Sequence, residues 1–124
     1  MDLDPQDFRT DERLVELSFG EWEGHTLKEV RAISPEKLQA RATDKWSFIP
    51  PGHSAESYEI LSWRVGSWLR SLDRPTISVS HGGVIRSLFR LVGGTSTEEA
   101  AEIPIPQDQI LIIDTEDGSM KWID

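Results

Sequence analysis

The sequence contains no cysteine. That removes disulfides, thiolate zinc sites and cysteine nucleophiles, and it fits a cytoplasmic protein. It has no uninterrupted apolar run near the roughly 20 residues that a membrane-spanning helix needs. The stretch Met1 to Thr10 holds three Asp and no apolar segment, so it does not read as a signal peptide. Positive charge is scarce: 13 Lys and Arg stand against 22 Asp and Glu, a net charge of -9. This excludes broad binding to nucleic acid or anionic membranes, where clustered Lys and Arg supply the affinity. A locally basic pocket for a phosphorylated ligand remains compatible with it. The three histidines, His25, His53 and His81, are too dispersed to form a spaced metal-ligand set, so no metal is expected. There is no Gly-x-Ser-x-Gly elbow, phosphate-loop lysine motif or cofactor fingerprint. Ser80 and His81 are adjacent on an extended stretch and point to opposite faces, which argues against a Ser–His–Asp triad.

What is present is a chain of 124 residues with ordinary hydrophobic (37%) and charged (28%) content, enough for one domain with one core over 1–124. Residues 1–12 read as polar loop, and residues 13–24 as a short extended piece followed by loop. Thr26 and Glu29 have capping-box spacing and start a helix that turns Leu27, Val30 and Ile33 inward. Pro35 interrupts that helix or opens a second one near 35–43. A double proline and a glycine mark 47–55 as loop. Ser54 or Ser57 caps the next helix, over 56–72, whose apolar set (Ile60, Leu61, Val65, Trp68, Leu69 and Leu72) follows the helical period. Pro75 leads into the strand-like run 76–80, and Gly82 and Gly83 open a helix carrying Val84, Ile85, Leu88, Phe89 and Val92 up to Gly93-Gly94. A short helix runs from Thr97 to Glu102. Two strands, 109–114 and 119–123, are joined through Asp117-Gly118 as a terminal hairpin. Alternating helices and strands imply an α/β layer architecture.

Three segments carry potential chemistry. At 76–92, His81 leaves a strand, two glycines let the backbone turn tightly, and the free N–H groups of the next helix point back to the same spot. That prescribes an anion site with a histidine on its rim, although a glycine-rich turn with an incidental histidine satisfies the same pattern. At 14–24, three carboxylates surround two aromatics. Glu16 lies between Val15 and Leu17, where partial burial suits a general acid, and the competing account is a solvated acidic loop. At 50–57, Glu56 and Ser57 are expected from helix capping alone, and His53 and His25 read better as exposed loop and cap-region residues.

The order of these motifs is distinctive: Arg13-Leu14-x-Glu16-x-x-Phe19-Gly20-x-Trp22-Glu23-Gly24, then Pro50-Pro51-Gly52 with Glu56-Ser57 and Arg64, then Val79-Ser80-His81-Gly82-Gly83-Val84-Ile85-Arg86. It resembles the histidine phosphatase superfamily, the phosphoglycerate-mutase-like branch. The resemblance implies a three-layer α/β sandwich around a mostly parallel sheet, here without its first strands and ending in a β-hairpin. It also implies phosphomonoester hydrolysis through a phosphohistidine, with a small phosphorylated metabolite or phosphate as the ligand. Arginines and a second histidine neutralise the phosphoryl oxygens, and a glutamate protonates the leaving oxygen. Mapped by motif, His81 is that second histidine, the Gly82 N–H a phosphate donor and Glu16 the acid.

The chain also departs from the family pattern. No Arg-His-Gly, the family's nucleophile motif, occurs in it, and neither does Ser-Pro-x-x-Arg-Ala; Arg41-Ala42 does not substitute for the latter. Gly52 and Glu56 are separated by His53, Ser54 and Ala55, where the family reads Gly-Gly-Glu-Ser. The resemblance therefore implies a chain that retains part of a phosphate pocket and does not turn over by itself. The alternative is a non-catalytic anion-binding or oligomerising module. A naturally missing segment, a misassigned start codon and a shortened chain are equally compatible with the sequence. A sheet without its first strand leaves unpaired edges, so a rearranged sheet or a homo-oligomer, with strand exchange between chains, is expected.

Overall fold

The computed structural model describes Asp4 and residues 7–124. The expectation of polar loop at 1–12 therefore falls partly outside the described residues. Five helices and one hairpin follow in order: α1 (Leu27–Ile33), α2 (Pro35–Thr43), α3 (Tyr58–Ser71), α4 (Gly82–Leu91), α5 (Thr97–Ala100), β1 (Ile110–Asp114) and β2 (Ser119–Ile123). Short 3-10 turns at Glu12–Leu14 and Gly20–Trp22 take the place of the extended piece expected after residue 13.

Local signals explain most of these boundaries. Thr26 and Glu29 form the reciprocal capping box of α1. Pro35 opens α2 at its first turn, where a missing N–H costs nothing. Ser57 rather than Ser54 caps α3, its hydroxyl accepting from the Ile60 N–H, while Glu59 and Arg70 sit at the ends that the helix dipole favours. In β1 and β2, Ile110 faces Ile123 and Asp114 faces Ser119, and Gly118 takes a positive φ in the turn.

The core forms where α3 crosses α4. Leu61 and Val65 of α3 meet Val84 and Leu88 of α4, joined by Leu17, Trp46, Tyr58, Ala100 and Ala101. Trp46 stacks on Tyr58, and the hairpin closes one side through Ile113, Met120 and the Phe89–Trp122 ring pair. The loop at 18–23 locks onto the loop at 50–56 through the Glu21 N–H donating to the Pro51 carbonyl at 2.8 Å. Gly20 is needed there twice over. Its φ is +57°, and a Cβ would run into the Pro51 carbonyl oxygen and the Ala55 methyl.

The run 76–80 is the main departure from the sequence reading. It is extended, as its β-branched residues and Pro75 require, but none of its backbone groups pairs with another segment among the described residues. Ile77 and Val79 are 74% and 85% exposed. A strand needs a neighbour to complete its ladder, and the only sheet among the described residues is the antiparallel hairpin. No helix among them is long and apolar enough to cross a membrane.

Candidate functional site

The end of the unpaired run enters α4 through His81, which is the N-cap residue in an extended conformation and contributes no side-chain cap. Its imidazole is exposed and makes no hydrogen bond among the described residues. The Ser80 hydroxyl, on the other side of the chain, donates to the Leu14 carbonyl at 2.9 Å and ties this turn to the segment carrying Glu16.

Glu16 supplies the cap that His81 does not. One carboxylate oxygen accepts from the Gly83 N–H at 3.2 Å, and the other accepts from the Leu17 N–H at 2.8 Å. A carboxylate at a helix N-terminus satisfies an otherwise unpaired donor and interacts well with the helix dipole. Gly83 makes this possible: a Cβ there would collide with a Glu16 carboxylate oxygen. The two residues singled out by motif, 65 positions apart in sequence by their numbers, thus share one helix end. The Gly82 N–H, one residue nearer His81, has no acceptor among the described residues.

Arg86 was not given a role by sequence reasoning, yet it lies beneath the same turn. Its guanidinium comes within 3.5 Å of where a Gly82 Cβ would be, while Nε donates to the Ile103 carbonyl at 2.8 Å and Nη1 to the Tyr58 hydroxyl at 3.3 Å. The signal was available in the four-residue spacing from Gly82, which stacks the two positions on one helix face. What could not be read was the loop carbonyl of Ile103 that fixes the side chain.

Arg64 holds the Glu16 segment in place from α3. It donates to the carbonyls of Arg13 (2.9 Å), Val15 (2.7 Å) and Glu16 (3.2 Å), and it meets Glu56 with two 2.9 Å hydrogen bonds. Glu56 also accepts from the Ser18 N–H at 3.0 Å. Burial opposes the charged form of Glu56, but the Arg64 hydrogen bonds and charge together with the Ser18 amide outweigh it and hold the carboxyl below its usual range. Glu56 and Arg64 therefore form a strut under the site. Arg13 is turned toward Asp11 (2.7 Å) and the Ser67 hydroxyl (3.1 Å). His25 is exposed and pairs with Glu29 at the start of α1, and His53 is exposed in its loop.

The site thus presents an open backbone N–H, an exposed imidazole, a guanidinium beneath the turn and a carboxylate on the adjoining amide. Groups of these kinds can hold an anion and exchange a proton with it.

Comparison with known proteins shows the family and fold of the chain. The chain is 29% identical over 103 residues to a 6-phosphofructo-2-kinase/fructose-2,6-bisphosphatase of Arabidopsis thaliana, covering 81% of this chain and 14% of that protein. It is 26% identical over 112 residues to 6-phosphofructo-2-kinase 1 of Saccharomyces cerevisiae, covering 88% of this chain and 14% of that protein. Its fold matches that of Bacillus stearothermophilus YhfR with a TM-score of 0.67 at 22% identity, covering 90% of this chain and 57% of YhfR. The chain therefore spans a small part of the curated relatives and little more than half of the structural one. The sequence profile of the histidine phosphatase superfamily (branch 1) matches residues 2–123, and the chain belongs to that superfamily.

Proposed function

We propose that this chain binds phosphate or a small phosphomonoester at the N-terminus of α4, and that by itself it does not hydrolyse the ester. The observation that carries this is the Gly82 N–H, without an acceptor among the described residues, one residue from the exposed His81 and with the Arg86 guanidinium 3.5 Å from where a Gly82 Cβ would be. The phosphoryl oxygens would take hydrogen bonds from the Gly82 amide and His81, with Arg86 adding positive charge from below. Glu16, on the next amide, stands where a carboxyl could pass a proton to a leaving oxygen. The absence of Arg-His-Gly from the sequence supports the second half of the proposal, because a covalent phosphohistidine needs a nucleophile that His81 alone does not supply. Calorimetry with inorganic phosphate tests the binding: the expected result is a signal that disappears in His81→Ala. Hydrolysis of p-nitrophenyl phosphate that persists through rigorous purification and vanishes in His81→Ala would overturn the inactivity.

A second reading rests on the run 76–80. Its backbone is unpaired among the described residues and its apolar side chains are exposed, so two copies could join antiparallel around Ser78, with Ile77 of one chain opposite Val79 of the other. Light scattering coupled to size exclusion should then report a dimer that Val79→Lys dissociates. A monomer at every accessible concentration would remove this reading.

A further inference from the structure

At the far end of α4, about 13 Å along the helix from His81, α3 and α4 border an open surface concavity of about 420 Å³. It is lined by Trp46, Glu59, Trp63 and Arg70 on one side and by Arg90 and Leu91 on the other. That volume lies within the range of small-molecule sites.

Its charges are unusual for this protein. In a chain of net charge -9, two arginines face one space, and neither forms an ion pair with a carboxylate among the described residues. Arg90 donates one hydrogen bond, to the Thr95 carbonyl at 3.2 Å, and Arg70 makes none among the described residues. The one carboxylate in the pocket, Glu59, is engaged by tryptophans: it accepts from the Trp46 indole N–H and, at 3.3 Å, from that of Trp63. The two indoles are thereby fixed as a wall, and Trp63 remains 63% exposed. Gly66 places the opposing cation. With no Cβ in the way, the Arg70 guanidinium folds back over the helix, 3.1 Å from where that Cβ would sit, and Leu91 comes to 3.8 Å of the same point.

From these features we infer a ligand site for an aromatic anion, meaning a flat ring carrying a carboxylate or a phosphate. The ring stacks on Trp63 and against Leu91, and the anionic group lies between Arg70 and Arg90, whose planar forks suit carboxylate and phosphate oxygens alike. A cation would face two guanidinium groups. An uncharged ring would leave both without a counter-charge.

The test follows the indole N–H resonances by NMR, with the Trp63 signal assigned through Trp63→Phe. Adenosine monophosphate and 1-naphthoate represent the phosphate and carboxylate forms, while adenosine and inorganic phosphate lack the charge and the ring respectively. Titration with either aromatic anion should shift the Trp63 and Trp46 resonances, and adenosine and phosphate should each bind at least about tenfold more weakly. Tighter binding of the nucleotide would identify a phosphate ligand, and tighter binding of naphthoate a carboxylate. The Arg70→Gln/Arg90→Gln double variant should weaken binding about tenfold or more. His81→Ala should leave it unchanged, which separates this site from the one at the start of α4. The inference is overturned if neither aromatic anion shifts these resonances at millimolar concentration, if phosphate alone shifts them equally, or if folded arginine variants bind as tightly as the wild type.

Discussion

Replacing Gly83 by alanine tests whether Glu16 belongs to the α4 N-terminus. The added methyl would collide with a Glu16 carboxylate oxygen, while Leu61 would lie at an ordinary contact distance of 3.4 Å. The helix start is packed on the α3–α4 core and cannot retreat, so the Glu16 side chain must swing out. That breaks its hydrogen bonds to the Gly83 and Leu17 amides. For a half-buried carboxylate whose donors water can partly reach, these are worth about 0.5–1 kcal/mol each, well under the value for a buried charged pair. Leu61 would meet the new methyl at an ordinary contact distance, and the better helix propensity of alanine returns somewhat less than about 1 kcal/mol. The net expectation is a loss of about 0.5–1.5 kcal/mol, at about 3–5 °C in melting temperature for each kcal/mol. The decisive measurement is a double-mutant cycle by urea unfolding. In a Glu16→Ala background there is nothing left to collide with and no hydrogen bond left to lose. Gly83→Ala should then cost nothing, giving a coupling energy above about 0.5 kcal/mol. If Gly83→Ala destabilises both backgrounds equally, the contact between Glu16 and α4 is refuted.

Three further outcomes follow from the same geometry. Arg64→Ala removes the guanidinium donor from three carbonyls and two of the hydrogen bonds to the Glu56 carboxylate, and should cost about 2–4 kcal/mol in urea unfolding; Arg64→Lys should recover little, since a point charge cannot serve both carbonyls and carboxylate. Glu56 is held below its ordinary value, so its ionised form stabilises the fold fully above the usual carboxylate pKa near 4.5, and that contribution is lost as pH falls through the lower folded value. Glu56→Gln should accordingly flatten the acid limb of a stability-versus-pH curve, and an unchanged limb would count against the strut. Ser57→Ala removes the buried cap of α3 and should lower stability by about 1 kcal/mol, with Ser57→Asp restoring part of it.

Much of the molecule was legible from local rules. The capping box at Thr26, the Pro35 helix start, the periodic face of α3 and the Asp117-Gly118 turn each depend on residues a few positions apart, so the sequence carries their whole explanation. The site was legible in its parts: the motif order singled out His81, Gly82 and Glu16. Their relation was not, because the meeting of Glu16 with the Gly83 amide depends on Ser80 reaching the Leu14 carbonyl and on Arg64 reaching three more carbonyls, all across more than forty residues. The loop carbonyl that fixes Arg86 and the Arg70–Arg90 pocket were invisible for the same reason, since a guanidinium is given its direction by whatever lies opposite. The run 76–80 marks the boundary most sharply. Its β-branched residues and Pro75 determine an extended backbone by local sterics alone, but extended backbone becomes a strand only when a second segment completes its hydrogen bonds. That pairing is a property of tertiary structure, and the described residues of this chain do not provide it.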